Sequence, residues 1–467
     1  MEFSPYRHWI KALQDAEKHP AYLLIADLIA EDIDLGSLKG RDKLPTLREM
    51  AIILGLNYTT VARAYNEARN RGLIVSRPGI GTFIKGKAKS MPLRGGSDYE
   101  MTMNLPPEPQ MPLLTQKILQ GFEMAMSNRD IYSVMRYQDF GGSMLDKEAA
   151  QQLLYPLLGL ADVDRILVCP GIHSILVALL SSLVQQGGTL CVQNLVYPGL
   201  KAIATQLGIR LIAIDSDSNG PIIQSLDARC RSGIIAAIYL NPTLQNPSTH
   251  TISLTRRQSI ADLALRYNIP IIEDDAYALL PSKPIPPIAT FAPEITYYLT
   301  GLSKYFGAGM RTAYLYAPSK ILTQRTSGAL RSLTVMASPI TTAMSTLWIE
   351  DGTIEEMVTA IRKESIERQL LVKRHLSQFF YSSDPEGFHV WLNLPKKIDL
   401  NPSLLAAHLR IQKLSAVSSA AFCTDNAPPN AIRLCLGGSI SRSELDQALP
   451  LLVDILEHPS HLSNLVY

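Results

Sequence analysis

The stretch TYYLTGLSKYFGAGMR, residues 296–311, decides how the rest of the chain is read. An apolar run of strand length, Thr296 to Gly301, leads into Ser303-Lys304, and a glycine-rich turn then closes on Arg311, seven residues past the lysine. Runs of the same kind lie upstream: ILVC (166–169), TLCVQ (189–193), IIAAIYL (234–240) and IPIIED (269–274). Longer stretches with helical periodicity separate them. Strands alternating with helices predict an α/β domain on a mostly parallel sheet. From about Leu333 the helical periodicity dominates, and the strand-like FHVWLNLP (388–395) and IRLCLG (432–437) predict a smaller α+β subdomain over 333–467.

Size and composition bound the function. A chain of 467 residues exceeds a single hydrophobic core, so two or more domains are expected. With 46% hydrophobic and 18% charged residues it has an ordinary globular composition. The N-terminal MEFSPYRHWIKAL lacks the apolar core and cleavage site of a signal peptide. The longest apolar stretch, from Ile166 to Val184, is interrupted by Pro170, Gly171 and His173, whereas a membrane span needs roughly 20 nearly uninterrupted apolar residues. A cytoplasmic protein without membrane contact is expected. Its five cysteines are scattered and never at metal-ligand spacing, so reduced thiols and no metal site are expected.

Charge is unevenly spread. Between Lys39 and Lys89, 11 Lys and Arg face only Asp42, Glu49 and Glu67, a balance of +8 that leaves the remaining residues at −6. A basic segment on a mildly acidic body points to a polyanionic partner for the N-terminal part. Within it, Ser4-Pro5 marks a helix start and a second helix is expected from Ala21 to about Leu35. Thr46-Leu47-Arg48-Glu49 is a capping box opening a helix through Leu54, and Gly55-Leu56-Asn57 turns into a helix that runs to Asn70 and stops at Gly72. Two short helices about a glycine turn form a helix-turn-helix. LIVS and TFIK, flanking Arg77-Pro78-Gly79-Ile80-Gly81, predict a β-hairpin wing. The division expected is a DNA-binding domain at 1–86, a polar linker at 87–103 and a larger domain at 104–467, entered through the proline-rich arm NLPPEPQMP (104–112).

Residues 44–84 resemble the winged helix of the GntR family, with the LP-x-x-R-x-x-A, TTV and G-x-G-T-F elements in order. The resemblance implies that Arg48, Asn57, Tyr58, Thr59 and Thr60, with Arg63 behind, face double-stranded operator DNA, and that Arg77 and Gly79 reach an adjacent groove. The family often carries arginine at Tyr58, so a guanine contact there is given up and the operator is expected to differ.

The larger domain resembles the fold-type I aminotransferases, which use pyridoxal 5′-phosphate. An isolated lysine is ordinarily a surface residue, and an Asp-Tyr pair after a strand is ordinarily a cap. It is the ordered series that carries the resemblance. It implies that Lys304 is the Schiff-base lysine and that Arg311 and Ser303 sit at the cofactor phosphate, with Ile172 and His173 at the helix start after CPG. Asp274 in IPIIEDDAY, chosen over Asp275 by its spacing to Tyr277, would face the pyridine nitrogen. Asn246 and Tyr277 would bond the phenolic oxygen, and Tyr197 in LVYPG would stack on the ring. Tyr137 in RYQDFGG would reach the phosphate of the other subunit in a homodimer, and Arg433 in AIRLCLGG would hold an effector carboxylate. Two departures stand out: Ser248-Thr249 replace the family's Thr-Gly, and Gly301 replaces a serine whose lost hydrogen bond weakens cofactor binding by about 1 kcal/mol.

A GntR-type winged helix joined to an aminotransferase-like domain resembles the MocR subgroup of bacterial regulators. By that resemblance the protein is a homodimeric transcription regulator that binds operator DNA and senses pyridoxal 5′-phosphate, or an amino compound, as an aldimine. The alternative is a working aminotransferase with a secondary DNA-binding module.

Overall fold

The computed structural model describes residues 6–15, 20–34, 37–39, 42–77, 80–84, 99–127, 131–395, 401–425 and 427–458. They fall in two compact units, residues 1–95 and 96–467.

The first unit has helices α1 (Arg7–Asp15), α2 (Ala21–Asp34), α3 (Leu47–Leu54) and α4 (Tyr58–Asn70), and strands β1 (Lys43–Leu44), β2 (Ile74–Arg77) and β3 (Gly81–Ile84). The expected capping box forms: Glu49 N–H donates to Thr46 Oγ1 at 3.3 Å and Thr46 N–H to Glu49 Oε2 at 2.8 Å, an arrangement of about 1 kcal/mol. Gly55, at φ 65°, takes the left-handed conformation that ends α3. Met50 and Leu54 then bury against Val61, Ala64, Tyr65 and Ala68 of α4 and against Ile25 and Ile29 of α2. The hairpin forms as expected, and β1 adds an unforeseen third strand in the order β1-β3-β2. Two residues are too short for a periodic signal to show. Ser4-Pro5, Gly79, the Arg77 side chain and most of the expected linker lie outside the described residues.

The second unit carries a seven-stranded sheet in the order β4-β12-β11-β10-β9-β5-β6. Its strands are β4 (Ile166–Cys169), β5 (Thr189–Gln193), β6 (Arg210–Ile214), β9 (Ile235–Leu240), β10 (Ile271–Asp274), β11 (Thr296–Gly301) and β12 (Ala313–Tyr316), with a short hairpin of β7 (Ser216–Asp217) and β8 (Gly220–Pro221) apart from it. The paired neighbours run parallel except at β12, which is antiparallel to β11 and β4. The helices are α5 (Pro112–Ser127), α6 (Ile131–Met135), α7 (Met144–Leu158), α8 (Ile172–Leu183), α9 (Pro198–Gln206), α10 (Ile223–Arg231), α11 (Leu254–Tyr267), α12 (Lys320–Thr334), α13 (Pro339–Glu350) and α14 (Thr353–Leu376). Strand alternation sends Leu167, Leu299 and Leu315 into one core with α8 and α9, and Val168, Tyr298 and Tyr314 into another with α7 and α13. Helices therefore cover both faces of a sheet whose strands are mostly apolar.

A second sheet, β13 (Tyr381–Ser383), β14 (His389–Asn393), β16 (Ala431–Cys435) and β15 (Val417–Ser418) in that order, packs with α15 (Pro402–Ile411) and α16 (Arg442–Glu457). Its core draws on Val372 and Leu376 at the end of α14 and on Met101. The expected start near Leu333 is too early. Helix α13 buries Ala343, Met344 and Trp348 in the large-sheet core, where Trp348 stacks on Phe306 at 4.5 Å, so the smaller core begins only along α14.

Candidate cofactor site and nucleic-acid interface

The segments that follow β4, β5, β9, β10 and β11 meet at one cavity of about 470 Å³, bounded also by the arm Thr102–Leu105 and by Val417, Phe422 and Arg433 of the smaller part. Carboxyl ends of parallel strands are where open α/β sheets leave such a crevice.

One end is built for an anion. Gly171, at φ 91°, caps α8, so the first amides of Ile172 and His173 have no carbonyl of their own helix to bond. Arg311 lies against it: a Cβ on Gly171 would sit 3.1 Å from the guanidinium carbon. The guanidinium Nη2 donates to Pro170 O at 3.4 Å. Burial, then the neighbouring Arg311, lowers the His173 pKa, so the imidazole stays neutral beside the arginine. Ser303 lines the same end.

At the other side, Asp274 ends β10 and is only 5% exposed. Its Oδ2 accepts from Tyr239 Oη at 2.7 Å, while Oδ1 is buried without a hydrogen-bond partner. Burial pushes this carboxyl up to about 6, with the Tyr239 hydrogen bond opposing the rise and Asp275 adding to it. Asp275 does not line the cavity; it accepts from Tyr298 Oη at 3.2 Å within the core. Tyr197 sits over the first turn of α9, where Gly199 is needed because a Cβ there would lie 2.4 Å from the ring.

Lys304 follows β11 in a single 3₁₀ turn, Leu302–Lys304. Burial lowers its ammonium to about 8, so roughly a tenth of it is the free amine near neutral pH, far more than for an ordinary lysine. Its Nζ donates to Asn104 O at 2.6 Å and stands 5.4 Å from the Tyr277 ring centre. Tyr277 Oη accepts from Asn104 Nδ2 at 2.7 Å. Asn246 Oδ1 accepts from Arg433 Nη1 at 3.2 Å, and Arg433 Nη2 bonds Thr102 O. The turn is kept despite Ser248-Thr249: Thr249 takes φ 68°, where glycine would be unstrained, and its N–H donates to Gln245 O at 2.7 Å. A left-handed threonine costs about 1–2 kcal/mol. At Gly301 a Cβ would lie 3.0 Å from Ala313 Cβ and 3.1 Å from Thr312 O, so a serine there would crowd β12.

Sequence reasoning missed Tyr239, Val417, Phe422 and the inward course of Thr102–Leu105. Tyr239 lay inside an apolar strand where it reads as core, and the proline-rich arm gave an extended path without a destination. Tyr137 is 79% exposed and does not line this chain's cavity.

In the first unit, Arg48, Asn57, Tyr58, Thr59 and Arg63 are exposed and Thr60 is half-buried. Asn57 caps α4 without using its side chain, and Tyr58 opens the helix at 51% exposure. Arg63 lies 4.2 Å above the Tyr22 ring of α2, so its charge is anchored one turn behind the helix start.

Residues 104–452 match the family of aminotransferases class I and II, and residues 21–84 match the bacterial regulatory proteins of the gntR family. The uncharacterised HTH-type transcriptional regulator YdeF of Bacillus subtilis is 30% identical over 96% of this chain and 97% of its own. The vitamin B6 salvage pathway transcriptional repressor PtsJ of Salmonella typhimurium is 25% identical over 79% of this chain and 84% of its own. An archaeal alanine:glyoxylate aminotransferase shares the fold, with a TM-score of 0.70 at 21% identity over 77% of this chain and 90% of that one. Among the described residues no helix is long and apolar enough to cross a membrane, and no cluster of metal-ligating side chains occurs. The chain belongs to the MocR subgroup of GntR-family transcription regulators, in which a winged helix-turn-helix is joined to an aminotransferase class I and II domain.

Proposed function

We propose that the protein is a cytoplasmic, homodimeric regulator that binds operator DNA through α3 and α4 and senses pyridoxal 5′-phosphate, or an amino compound bound with it, in the cavity of the larger unit. The observation that carries the cofactor reading is the unpartnered Oδ1 of the buried Asp274, a residue lining the cavity that also contains Lys304. A protonated ring nitrogen would satisfy it. Ile172, His173, Ser303 and Arg311 would take the phosphate, Asn246 and Tyr277 the phenolic oxygen, and Tyr197 the ring face. When bound, the cofactor supplies an aldehyde reactive toward amines. The chain's own part is to lower the Lys304 ammonium so that free amine is available near neutral pH, to hold Asp274 through Tyr239, and to offer Arg433 to a carboxylate.

The DNA reading is supported by the exposed first turn of α4 and by Arg48 at the start of α3, the arrangement in which a recognition helix presents its N-terminus to base edges. A homodimer is supported by the exposed apolar side chains on neighbouring elements ahead of the sheet, including Leu119, Phe122, Tyr132, Met135 and Tyr137. The exposed Tyr137 is then free to complete the partner's site.

The test is spectroscopic. The purified protein mixed with pyridoxal 5′-phosphate should gain a visible absorption band that Lys304→Ala abolishes; a wild-type protein that stays colourless would remove the cofactor reading. A working aminotransferase is the second reading, favoured by the presence of Lys304, Asp274, Asn246 and Arg433 in one cavity. Turnover of amino acid and keto acid pairs at ordinary enzyme rates would establish it.

A further inference from the structure

The Arg433 end of the cavity carries a statement about ligand class, and it rests on the sensing role just proposed. On the small sheet, the register sets Trp391 of β14 and Val417 of β15 opposite Arg433 of β16. Directly opposed residues of antiparallel strands share one face, so the guanidinium rises between two apolar side chains. Its carbon lies 5.4 Å from the centre of the Phe422 ring, and Phe422 meets Trp391 edge-on at 6.0 Å. Arg433 is 4% exposed and its Nε has no hydrogen-bond partner. A buried guanidinium with a spare N–H calls for one anionic oxygen group, and a carboxylate would replace the neutral Thr102 carbonyl as the stronger acceptor.

What surrounds that carboxylate matters as much. Among the described residues lining the cavity, the remaining ionisable groups apart from tyrosines are Lys304, Asp274, His173 and Arg311, all on the cofactor side. Around Arg433 the lining carries no charge: Asn246 and the Thr102 carbonyl bond it, Phe422 lies beside it, Val417 stands opposite it on β15, and Met103 follows Thr102. Among the described residues no second cation is there to receive another carboxylate. The acid whose charge reaches Arg433 is Glu100, whose Oε1 is already occupied by Thr102 N–H at 2.7 Å and which would repel a second carboxylate. A charged ligand side chain pressed on this wall would lose water without gaining a partner, whereas an apolar one gains by leaving water.

We propose that the effector is a monocarboxylic amino acid with an uncharged, apolar side chain, its carboxylate on Arg433 and its side chain against Met103, Val417 and Phe422. The experiment titrates the full chain, loaded with pyridoxal 5′-phosphate, with L-leucine, L-valine, L-glutamate, L-lysine and ethylamine, reading the visible band. Leucine and valine should half-saturate at concentrations roughly tenfold or more below the other three. Glutamate or lysine acting as well as leucine would overturn the class while leaving amine sensing in place. A loaded protein whose band no amine moves would overturn amine sensing itself. Val417→Lys, which sets a cation opposite Arg433, should bring glutamate level with leucine or ahead of it. If that variant does not fold, the wild-type series alone decides.

Discussion

The Nζ of Lys304 donates to the main-chain oxygen of Asn104 at 2.6 Å. The lysine on which the cofactor reading turns is thus tied to the arm through which the chain enters the larger unit. The arm is bound along its length: Met101 N–H donates to Ser415 Oγ at 3.0 Å, Cys435 N–H to Met101 O at 2.9 Å and Gly438 N–H to Pro106 O at 2.9 Å. Arg433 bonds it at Thr102. Lys304 and the smaller sheet therefore hold one segment in common, and a ligand that takes Lys304 or Arg433 away from the arm must alter its seating.

Gly437 is where this seat is most easily disturbed. A Cβ there would lie 1.9 Å from Leu105 O, a distance that main chain cannot accommodate without moving. Gly437→Ala should destabilise the protein by about 1–3 kcal/mol in denaturant titration. It should also weaken retention of pyridoxal 5′-phosphate. Gly328→Ala in α12, where a Cβ would meet nothing within 4 Å, is the control and should be neutral or slightly stabilising. Equal behaviour of the two variants would mean that the arm does not seat as described.

Two buried groups set the pH dependence of cofactor capture. Asp274 titrates near 6 instead of its ordinary 3.8 because burial disfavours the carboxylate. Since the raised value lies in the folded state, its stabilising effect is present in full below about 3.8 and is lost as pH rises through 6. A protonated ring nitrogen, by contrast, needs the carboxylate, so affinity for the cofactor should fall as pH drops through 6. Lys304 titrates near 8 instead of 10.5. Below 8 the folded protein holds its ammonium at a cost, and the rate of capture should climb with pH up to about that value. Stopped-flow absorbance across pH 5 to 9 would show both limbs; a flat profile would contradict the assignment of either group.

Tyr239 is predicted to position Asp274. Tyr239→Phe removes the side-chain donor to Oδ2 beside an Oδ1 that already lacks a partner. An unmade bond of this kind costs about 1–3 kcal/mol, a loss of roughly fivefold to more than a hundredfold in affinity for pyridoxal 5′-phosphate. The informative readout is the acid limb of the capture profile, which should move above pH 6 because the hydrogen bond is what opposes the effect of burial. A purely structural tyrosine would lower stability and leave that limb in place.

Much of this was readable from residues alone, and the gaps have physical causes. Lys304, Asp274, Asn246 and Tyr277 each end or follow a strand whose apolar run is plain in sequence, Arg433 lies within one, and the structure brings them to one cavity. The winged helix was readable because its capping box and turn glycine act within a few residues of each other. Tyr239 was not, because a buried tyrosine in a strand differs from core only by where its hydroxyl points. The antiparallel β12 carries no signal of direction, since pairing sense is a property of connection rather than composition. The boundary within α12–α14 misled because periodicity marks a helix and not the core that it joins.

Arg48 and Arg63, which sequence placed on the same surface, are held differently. Arg48 stands exposed in the first turn of α3, with no cap or ion pair of its own described there, and Arg63 is held above Tyr22. A phosphate contact by Arg48 would be lost in Arg48→Ala, lowering affinity for a duplex selected by the protein from a random pool and reducing the log–log salt slope by about 1. Arg63→Ala removes a stacked cation of about 0.5–1 kcal/mol and should appear first as reduced stability of the winged helix. Fluorescence anisotropy at several salt concentrations, paired with thermal melts of both variants, distinguishes them. Should Arg63→Ala alter the salt slope as much as Arg48→Ala, the guanidinium must leave Tyr22 on binding, and the DNA would have to approach along the full length of α4 instead of its first turn.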